Sequence, residues 1–338
     1  MTTMLDVAKR AGVSKATVSR VLAGHHYVSK TARDKVNRAI AETGYRPNLI
    51  ARNLATNRTH SIGLMVPNTL YNGPFFSELI FQAATLTEKM GSKLVLADGK
   101  HTAEQERQAI EWLIDMRCDA LIAYPRYLSV DEIDALIPEL PAPLMIVNRQ
   151  SKTFPQFSVC ADHLQDTFNA VDWLIQQGHR EVMFIAGLGS SYTGRSRLQG
   201  YLAALEKHQI ARNDALIIPG DWTPDGGKRV MHAFLQQRPA HFTALVASND
   251  DMAIGAANAL HEAGLRVPED VSLLSFDNMP MSSYFIPALT TVHVPVAEMV
   301  AGAVAQLSKL LDGEAVAPLP LLNGTLIQRQ SVTKGPYA

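Results

Sequence analysis

From Ser61 onward, short runs rich in β-branched and other apolar residues alternate with segments of helical periodicity. This alternation is typical of βαβ units and therefore predicts parallel sheets covered by helices. The predicted strands are 62–66, 93–97, 120–124, 143–148, 158–161, 182–186, 215–218, 244–248, 271–276 and 290–294. So many strands exceed a single mononucleotide-type sheet, which predicts two doubly wound α/β subdomains.

Polar residues stand at the ends of many of these strands or one to two residues beyond them. In open parallel sheets, ligands bind at the carboxyl ends of the strands, so a cleft is expected there. The residues concerned are Asn68, Tyr124, Asn148, Asp162, Asn249 and Asp277. For any one of them alone, turn or cap chemistry is the better explanation, because Asn and Asp favour such positions. Their recurrence in both halves favours a binding cleft.

Charge is divided unevenly along the 338 residues. The whole chain has a formal net charge of −1, whereas residues 1–60 hold eleven Lys/Arg against three Asp/Glu, a net of +8. The remaining 278 residues therefore carry a net of −9. A basic end on an acidic body predicts a module that binds a polyanion.

Three short helices are predicted in the basic segment. The first, 4–10, ends at Gly12, and Ser14 is placed to cap the second, 15–23. This helix, turn and helix spacing is that of the helix-turn-helix motif. The third helix follows Ser29 and runs to residue 43.

The second helix has one apolar side and one side of small, hydroxyl and basic residues, namely Lys15, Ala16, Thr17, Ser19 and Arg20. Small residues allow close approach to a groove, hydroxyls contact phosphate, and Lys or Arg can read guanine. A solvated helix face is the alternative. The spacing, the glycine and the local charge together favour DNA recognition.

The stretches LDVAKRAGVSKATVSRVL, VSKTARDKV and ETGYRPNLIARNLA are similar to the head of the lactose/galactose repressor (LacI/GalR) family. The resemblance implies that Lys15 and Ala16 set operator sequence and that Arg20 contacts a base. It also implies a hinge helix over 48–55 that forms on DNA, with Leu54 wedged into the minor groove. The alternative for Leu54 is a residue covered by the body. The expected DNA contacts are Ser14, Lys15, Ala16, Thr17, Ser19, Arg20, Ser29, Asn48, Ala51 and Leu54.

The resemblance extends over the body through LVASNDDMAIGA, ALHEAGLRVPEDVSLLSFDN and IPALTTV. It implies an effector-binding core related in fold to periplasmic sugar-binding proteins. The residues expected at the effector are Asn68, Phe76, Tyr124, Asn148, Arg197, Trp222, Asn249 and Asp277. Arg197 and Asp277 suit hydroxyl groups and Trp222 suits the face of a sugar ring.

Three positions depart from the family pattern. Ser275 stands where Gly is usual, and Ala161 and Val296 replace aromatic residues of the lactose-responsive member. The ligand of that member therefore cannot be assumed, and Phe75-Phe76 are expected to supply an aromatic wall instead. Within the family, stretches such as FSELIF and LADGKH most resemble regulators of aryl-β-glucoside operons, which implies salicin, arbutin or cellobiose as inducer.

Competing functions find less support. GLGSSYTG fails the GxGxxG dinucleotide pattern because Tyr192 takes the third glycine position. Adjacent Asp250 and Asp251 point about 100° apart on a helix, so they form no facing acid and base pair. Cys118 and Cys160 have no CxxC or His partner at metal spacing. We expect no enzyme activity, cofactor or metal, although another sugar, a nucleoside or a purine remains open as effector.

The predicted organisation has three parts: a helix-turn-helix domain over 1–45, a hinge and linker over 46–60, and an effector-binding core over 61–335. The core divides into an N-subdomain (61–158 and 291–320) and a C-subdomain (159–290 and 321–335). A sequence-specific repressor that reads a pseudo-palindromic operator is expected to be a homodimer. Without a 20-residue apolar stretch or an apolar leader, membrane contact is not expected and a cytoplasmic location is.

Overall fold

The computed structural model describes residues 2–22, 27–45, 58–70, 73–237 and 240–338. The expected hinge contacts Asn48, Ala51 and Leu54 lie outside these residues. The chain divides into two compact units, Met1–His60 and Ser61–Ala338.

The first unit is a three-helix domain with α1 (Met4–Ala11), α2 (Lys15–Leu22) and α3 (Lys30–Thr43). Between α1 and α2, Gly12 adopts φ 65°, the left-handed conformation that ends a helix at little cost in a residue without Cβ. The buried residues of this unit are Val7, Ala8, Ala11, Val18, Val36, Ala39 and Tyr45. The predicted helix-turn-helix is therefore present, with helix ends within one residue of expectation.

In the second unit, the first sheet has five parallel strands in the order β2-β1-β3-β4-β5. The strands are β1 (Ser61–Val66), β2 (Lys93–Asp98), β3 (Ala120–Ala123), β4 (Leu144–Val147) and β5 (Ser158–Val159). The helices of this subdomain are α4 (Pro74–Lys89), α5 (Ala103–Asp115), α6 (Val130–Leu136) and α11 (Val296–Leu311). Buried residues of α4 and α11 join a core on one face of the sheet, and those of α5 and α6 join a core on the other.

The second sheet has the order β11-β10-β9-β8-β6-β7, and its strands are parallel except for the antiparallel pairing of β11 with β10. The strands are β6 (Val182–Ala186), β7 (Ile217–Pro219), β8 (Ala244–Ala247), β9 (Ser272–Asp277), β10 (Thr290–His293) and β11 (Thr325–Ile327). The helices are α7 (His163–Gln176), α8 (Tyr192–Lys207), α9 (Pro224–Gln237) and α10 (Asp250–Glu262). One core lies with α7 and α8 and another with α9 and α10, as expected for a doubly wound sheet.

The chain passes between the two sheets three times: after β5, after β10, and between α11 and β11. Two of these crossings pair with each other, because the amide of Asp162 donates to the carbonyl of Leu322 (2.9 Å) and the amide of Leu322 donates to the carbonyl of Cys160 (2.9 Å). Ten strands were expected and all ten occur, while β11 was not predicted. Across the described ranges, the helices are all too short or too polar to cross a bilayer.

Candidate functional site

A cavity of about 530 Å³ lies between the two sheets of the second unit. Its lining comes from the residues that follow strands on both sides, which is the location expected for parallel sheets. Of the residues predicted to bind an effector, those lining the cavity are Tyr124, Asn148, Arg197, Trp222, Asn249 and Asp277. A volume in the ~300–1,000 Å³ range is ordinary for a small-molecule site.

Two expected residues do not line this cavity. The side-chain amide of Asn68 donates to Asp98 Oδ2 (3.0 Å), so Asn68 joins two strand ends of the first sheet. Phe76 packs on the hydrophobic core of that subdomain, and its neighbour Phe75 faces the cavity with its ring 5.3 Å from that of Tyr124. The aromatic wall is thus formed by Phe75 and not by Phe76.

Asn148 bridges the two subdomains inside the cavity. It follows β4 in a left-handed conformation (φ 63°), and its amide nitrogen donates to Tyr124 Oη (2.6 Å) on the same side. The same nitrogen donates across the cleft to Thr193 Oγ1 (3.1 Å), while Asn148 Oδ1 lies 2.7 Å from His163 Nε2. The contacts of this one side chain therefore depend on the relative position of the two subdomains.

The ionisation of the groups around Asn148 is fixed by burial. Burial lowers the pKa of His163 well below its ordinary value, and burial raises the pKa of Tyr124 to about 12. Neutral His163 donates from Nε2 to Asn148, so its Nδ1 is an acceptor, and that buried atom has no partner among the described residues. A bound hydroxyl group would satisfy it.

Arg197 organises the opposite wall. Its guanidinium donates to the carbonyl of Ser248 and to Asp277 Oδ1 (3.1 Å), and it lies 4.6 Å from the ring centroid of Phe276. The side chain is 3% exposed, and its Nε has no partner within the described residues. Arg197 thus presents a fixed donor beside the Asp277 carboxylate.

Trp222 also lines this wall, and its ring centroid lies 5.9 Å from the Arg197 guanidinium. Its backbone has φ 72°, and its carbonyl accepts from Asn249 Nδ2 (3.0 Å). A Cβ at Gly187 would stand 2.1 Å from Trp222 Cζ2, so the ring's position requires glycine there. Asn249 also caps α10 by accepting from the amide of Met252 (3.0 Å).

Beneath this wall lies a fully buried carboxylate, Asp250. It accepts from the hydroxyls of Ser275, Ser282 and Thr291 and from the amide of Met279 (2.8 Å). The sequence suggested only a favourable charge in the first turn of α10. The structure shows that Asp250 also ties α10 to β9, β10 and the loop between them, and that Ser275, the departure from family glycine, supplies one of the four donors.

Other lining residues were not anticipated, among them Arg126, Tyr127, Arg149, His163, Thr193 and Asp251. Most lie one to three residues beyond a predicted strand end, whereas the prediction rests on the first polar residue at each of these ends. No group of three or more His, Cys, Asp or Glu suited to a metal ion occurs in the described ranges.

The expected DNA-contacting residues of the first unit lie on its surface. Lys15, Ala16, Ser19 and Arg20 are exposed on α2, and Thr17 is half-buried. Ser14 Oγ accepts from the amide of Thr17 (3.1 Å), and Ser29 Oγ accepts from the amide of Ala32 (3.3 Å), so both serines cap helices. The solvent-facing side of α2 is available to a groove.

Comparison with known proteins agrees with both units. Residues 3–48 match the model of bacterial regulatory proteins of the lacI family, and residues 171–332 match that of the periplasmic binding protein-like domain. The HTH-type transcriptional regulator AscG of Escherichia coli (strain K12) is 53% identical over 332 residues, covering 98% of each chain.

Two solved structures extend the comparison. The lac repressor dimer bound to operator and the anti-inducer ONPF has a TM-score of 0.91 at 30% identity, covering 98% of this chain and 99% of that one. The complex of the transcriptional regulator CelR with cellobiose has a TM-score of 0.72 at 28% identity, covering 98% and 100%.

A helix-turn-helix unit followed by a two-sheet α/β core with a polar cleft defines a DNA-binding transcriptional regulator. The chain belongs to the LacI family, and it is a repressor similar to AscG. The predicted fold class is confirmed, as is the expectation of a regulator instead of an enzyme, because the relatives are transcriptional regulators.

The free energy of unfolding is expected to depend on pH through Asp251, which lines the cavity. Burial, together with Asp277 and Asp250, raises the pKa of Asp251 from 3.8 to about 6. The folded state then binds this proton more tightly than the unfolded chain, so Asp251 reduces the free energy of unfolding as pH rises through that interval. We expect Asp251→Asn to unfold at higher urea than the parent near pH 7, with a smaller difference near pH 4.

Asp225→Asn, which neutralises an exposed carboxylate on α9, provides the control and should show no such pH-dependent gain. An Asp251→Asn effect of equal size at both pH values would contradict the raised pKa.

Proposed function

We propose that the protein represses a sugar catabolic operon, specifically an operon for the catabolism of β-glucosides. It dissociates from its operator when a small sugar binds in the cleft. The observation that carries this proposal is the Asn148 bridge, because a sugar hydroxyl competing for Thr193 or His163 would change the contact between the subdomains. The CelR–cellobiose complex supports the β-glucoside class, since cellobiose is itself a β-glucoside.

The remaining cavity chemistry suits a polyol. Arg197 donates, Asp277 accepts and Trp222 offers an aromatic face, a combination that recognises hydroxyl groups and the C–H side of a sugar ring. A nucleoside or purine could also stack on Trp222, so effectors of these classes form the alternative within the same family.

The proposed switch has two states. Without inducer, the core holds the hinge segments 48–55 of two chains close enough to form paired helices on DNA. Inducer favours a rotated arrangement of the subdomains that separates them, and helices of eight residues are marginal when alone. The inducer must bind the two states differently, with a typical coupling of about 1–3 kcal/mol.

For the DNA-binding half, we propose that the exposed face of α2 enters the major groove and that Leu54 enters the minor groove at the operator centre. Ser14, Thr17, Ser19 and Ser29 would contact the backbone, and Arg20 a base. Asn48 and Ala51 would belong to the hinge contacts. We therefore assign DNA recognition to residues 1–45, the hinge and linker to 46–60, and effector binding to 61–335.

We propose a homodimer in which part of the interface is a loop of the C-subdomain. Met281, Tyr284 and Ile286 are 60%, 77% and 91% exposed, although each is large and apolar. Such a concentration on a surface is typical of an association site. A second copy of the chain is the proposed occupant, since the similar lac repressor binds operator as a dimer.

Operator preference should depend on the start of α2. Replacing Lys15 and Ala16 together, as Lys15→Gln with Ala16→Thr, should change the preferred half-site, because each well-formed base contact discriminates by about 1–3 kcal/mol. Selection from a randomised operator library would measure the change. Lys35→Gln, on the exposed surface of α3, should weaken binding without altering preference, and an unchanged preference in the double variant would reject the assignment.

Induction should depend on Arg197. Arg197→Ala removes a buried donor to the cleft and should weaken sugar binding about 10- to 100-fold while operator affinity is retained. Titration of an operator complex with sugar, followed by mobility shift, gives both quantities. Arg266→Ala removes an exposed arginine of the same subdomain and should induce normally, and normal release by Arg197→Ala would refute the proposed site.

Dimerisation should depend on the exposed loop. Ile286→Glu places a charge where a partner would bury an apolar side chain, so sedimentation equilibrium should show a shift from dimer to monomer at micromolar concentration. Operator affinity should fall with it, because a monomer reads only one half-site. Leu321→Glu, at a surface residue that is 42% exposed, is the control. A dimer that persists in Ile286→Glu would exclude this loop.

A further inference from the structure

The two walls of the cavity differ in charge. Among the described lining residues, the N-subdomain contributes Arg126 and Arg149 and no acidic side chain. The C-subdomain contributes Asp221, Asp251 and Asp277 together with Arg197. The cavity is thus basic on one side and acidic on the other.

The acidic wall is largely occupied by internal pairing. Asp277 accepts from Arg197, and Asp221 accepts from Arg229 (2.8 Å) and from the amide and hydroxyl of Thr223. These carboxylates keep free lone pairs for hydroxyl donors, as a polyol requires.

The basic wall has no such pairing. The guanidinium of Arg126 lies 5.8 Å from the ring centroid of Tyr127 and forms neither ion pair nor hydrogen bond within the described ranges. Arg149 is 6% exposed and donates only to the backbone carbonyls of Leu128 and Arg126. Two arginines therefore face one cavity without an acid in salt-bridge contact.

The loop that carries Arg126 is fixed from both sides. The buried carboxylate of Glu106 accepts from the amides of Arg126 (2.7 Å), Tyr127 (3.0 Å) and Leu128 (2.8 Å). Arg149 binds the carbonyls of the same loop. The Glu106 carboxylate hydrogen-bonds these amides and not the Arg149 guanidinium, so it offsets the positive charge of Arg149 only at longer range. The same hydrogen bonds fix the backbone that places Arg126 at the cavity.

A buried charge without a counter-charge is costly, so the buried Arg149 favours a ligand that supplies one, and the half-buried Arg126 adds a second cation beside it. Planar guanidinium groups match the oxygens of phosphate, and charge-assisted hydrogen bonds of this kind are roughly twice as strong as neutral ones. A phosphate dianion also matches two positive side chains better than a single carboxylate does. Its sugar could still place hydroxyl groups against Asp251 and Asp277 on the opposite wall.

We propose that Arg126 and Arg149 form a phosphate subsite and that the effector is a phosphorylated glycoside. This inference rests on the proposed function, because it specifies the ligand of the same cleft. The phosphate would lie against the N-subdomain and the sugar would reach the C-subdomain, so the ligand itself would span the two.

Isothermal titration of the full-length protein tests the subsite. The probes are cellobiose and salicin, the 6-phosphates of both, glucose 1-phosphate, inorganic phosphate, and a nucleoside 5′-monophosphate. At least one phosphorylated sugar should bind about tenfold or more tightly than its neutral parent, and this preference should shrink as salt increases. Operator release by the same compounds should follow the same order.

Arg126→Gln should remove the preference, measured in this variant as the ratio of the dissociation constants for the phosphorylated sugar and its neutral parent. Arg126→Lys, which keeps the charge but not the planar fork, should retain part of it. Arg107→Gln removes an arginine of α5 that does not line the cavity and should leave the preference intact.

The outcomes separate the two proposals. Neutral sugars that bind and release operator as well as their phosphates do would overturn the phosphate subsite while leaving the proposed function in place. If a nucleoside monophosphate were the only tight ligand, both the proposed glycoside effector and the proposed repression of a sugar operon would be overturned. A phosphate preference that survives Arg126→Gln would overturn the assignment to this wall.

Discussion

The cavity wall contributed by the C-subdomain depends on one buried carboxylate. Asp250 has no exposed surface, and burial together with Asp277 raises its pKa. Four donors from three other segments converge on its two oxygens, so the cost of burying the group is offset by hydrogen bonds. Ser275 and Thr291 donate to Oδ1, and Met279 and Ser282 of the loop donate to Oδ2, so without the loop Oδ2 would be a buried acceptor with no donor.

This arrangement joins two surfaces that the chain keeps far apart in sequence. On one side of Asp250 are Asn249 and Asp251, which line the cavity. On the other is the loop after β9, whose amide at Met279 and hydroxyl at Ser282 bind Asp250 and whose next residues are exposed and apolar. The geometry of the cavity edge and that of the proposed subunit contact therefore share one anchor.

Features that depend on local sequence pattern could be predicted, whereas features that depend on contacts between residues distant in sequence could not. Strand and helix positions followed from periodicity, and the cleft followed from the polar residues at strand ends. Phe75 and Phe76 could not be distinguished, because neighbours on a helix differ by about 100° and the exact start of α4 decides which one faces the cavity. Arg126 and Arg149 were missed because their role depends on Glu106, which lies 20 residues before Arg126 in sequence.

Asp250 illustrates the same limit. A carboxylate in the first turn of a helix is adequately explained by the helix dipole, so nothing local points to further partners. Its donors Ser275 and Thr291 are 25 and 41 residues away. Strand β11 was not predicted because its residues are exposed or half-buried at a sheet edge and lack the apolar run that marks the central strands.

The three crossings between the sheets also govern the order in which the molecule can form during synthesis. The first sheet is complete in sequence by residue 159, yet one of its two cores requires Met299, Val300 and Ala303 of α11. A ribosome that has released the first sheet has therefore released a subdomain in which α4 alone covers one face, and α11 joins it only after about 140 further residues are made. Strands β6 to β10 of the C-subdomain are released before α11, whereas its edge strand β11 is released after α11. The segment that completes each subdomain is therefore made after the body of the other.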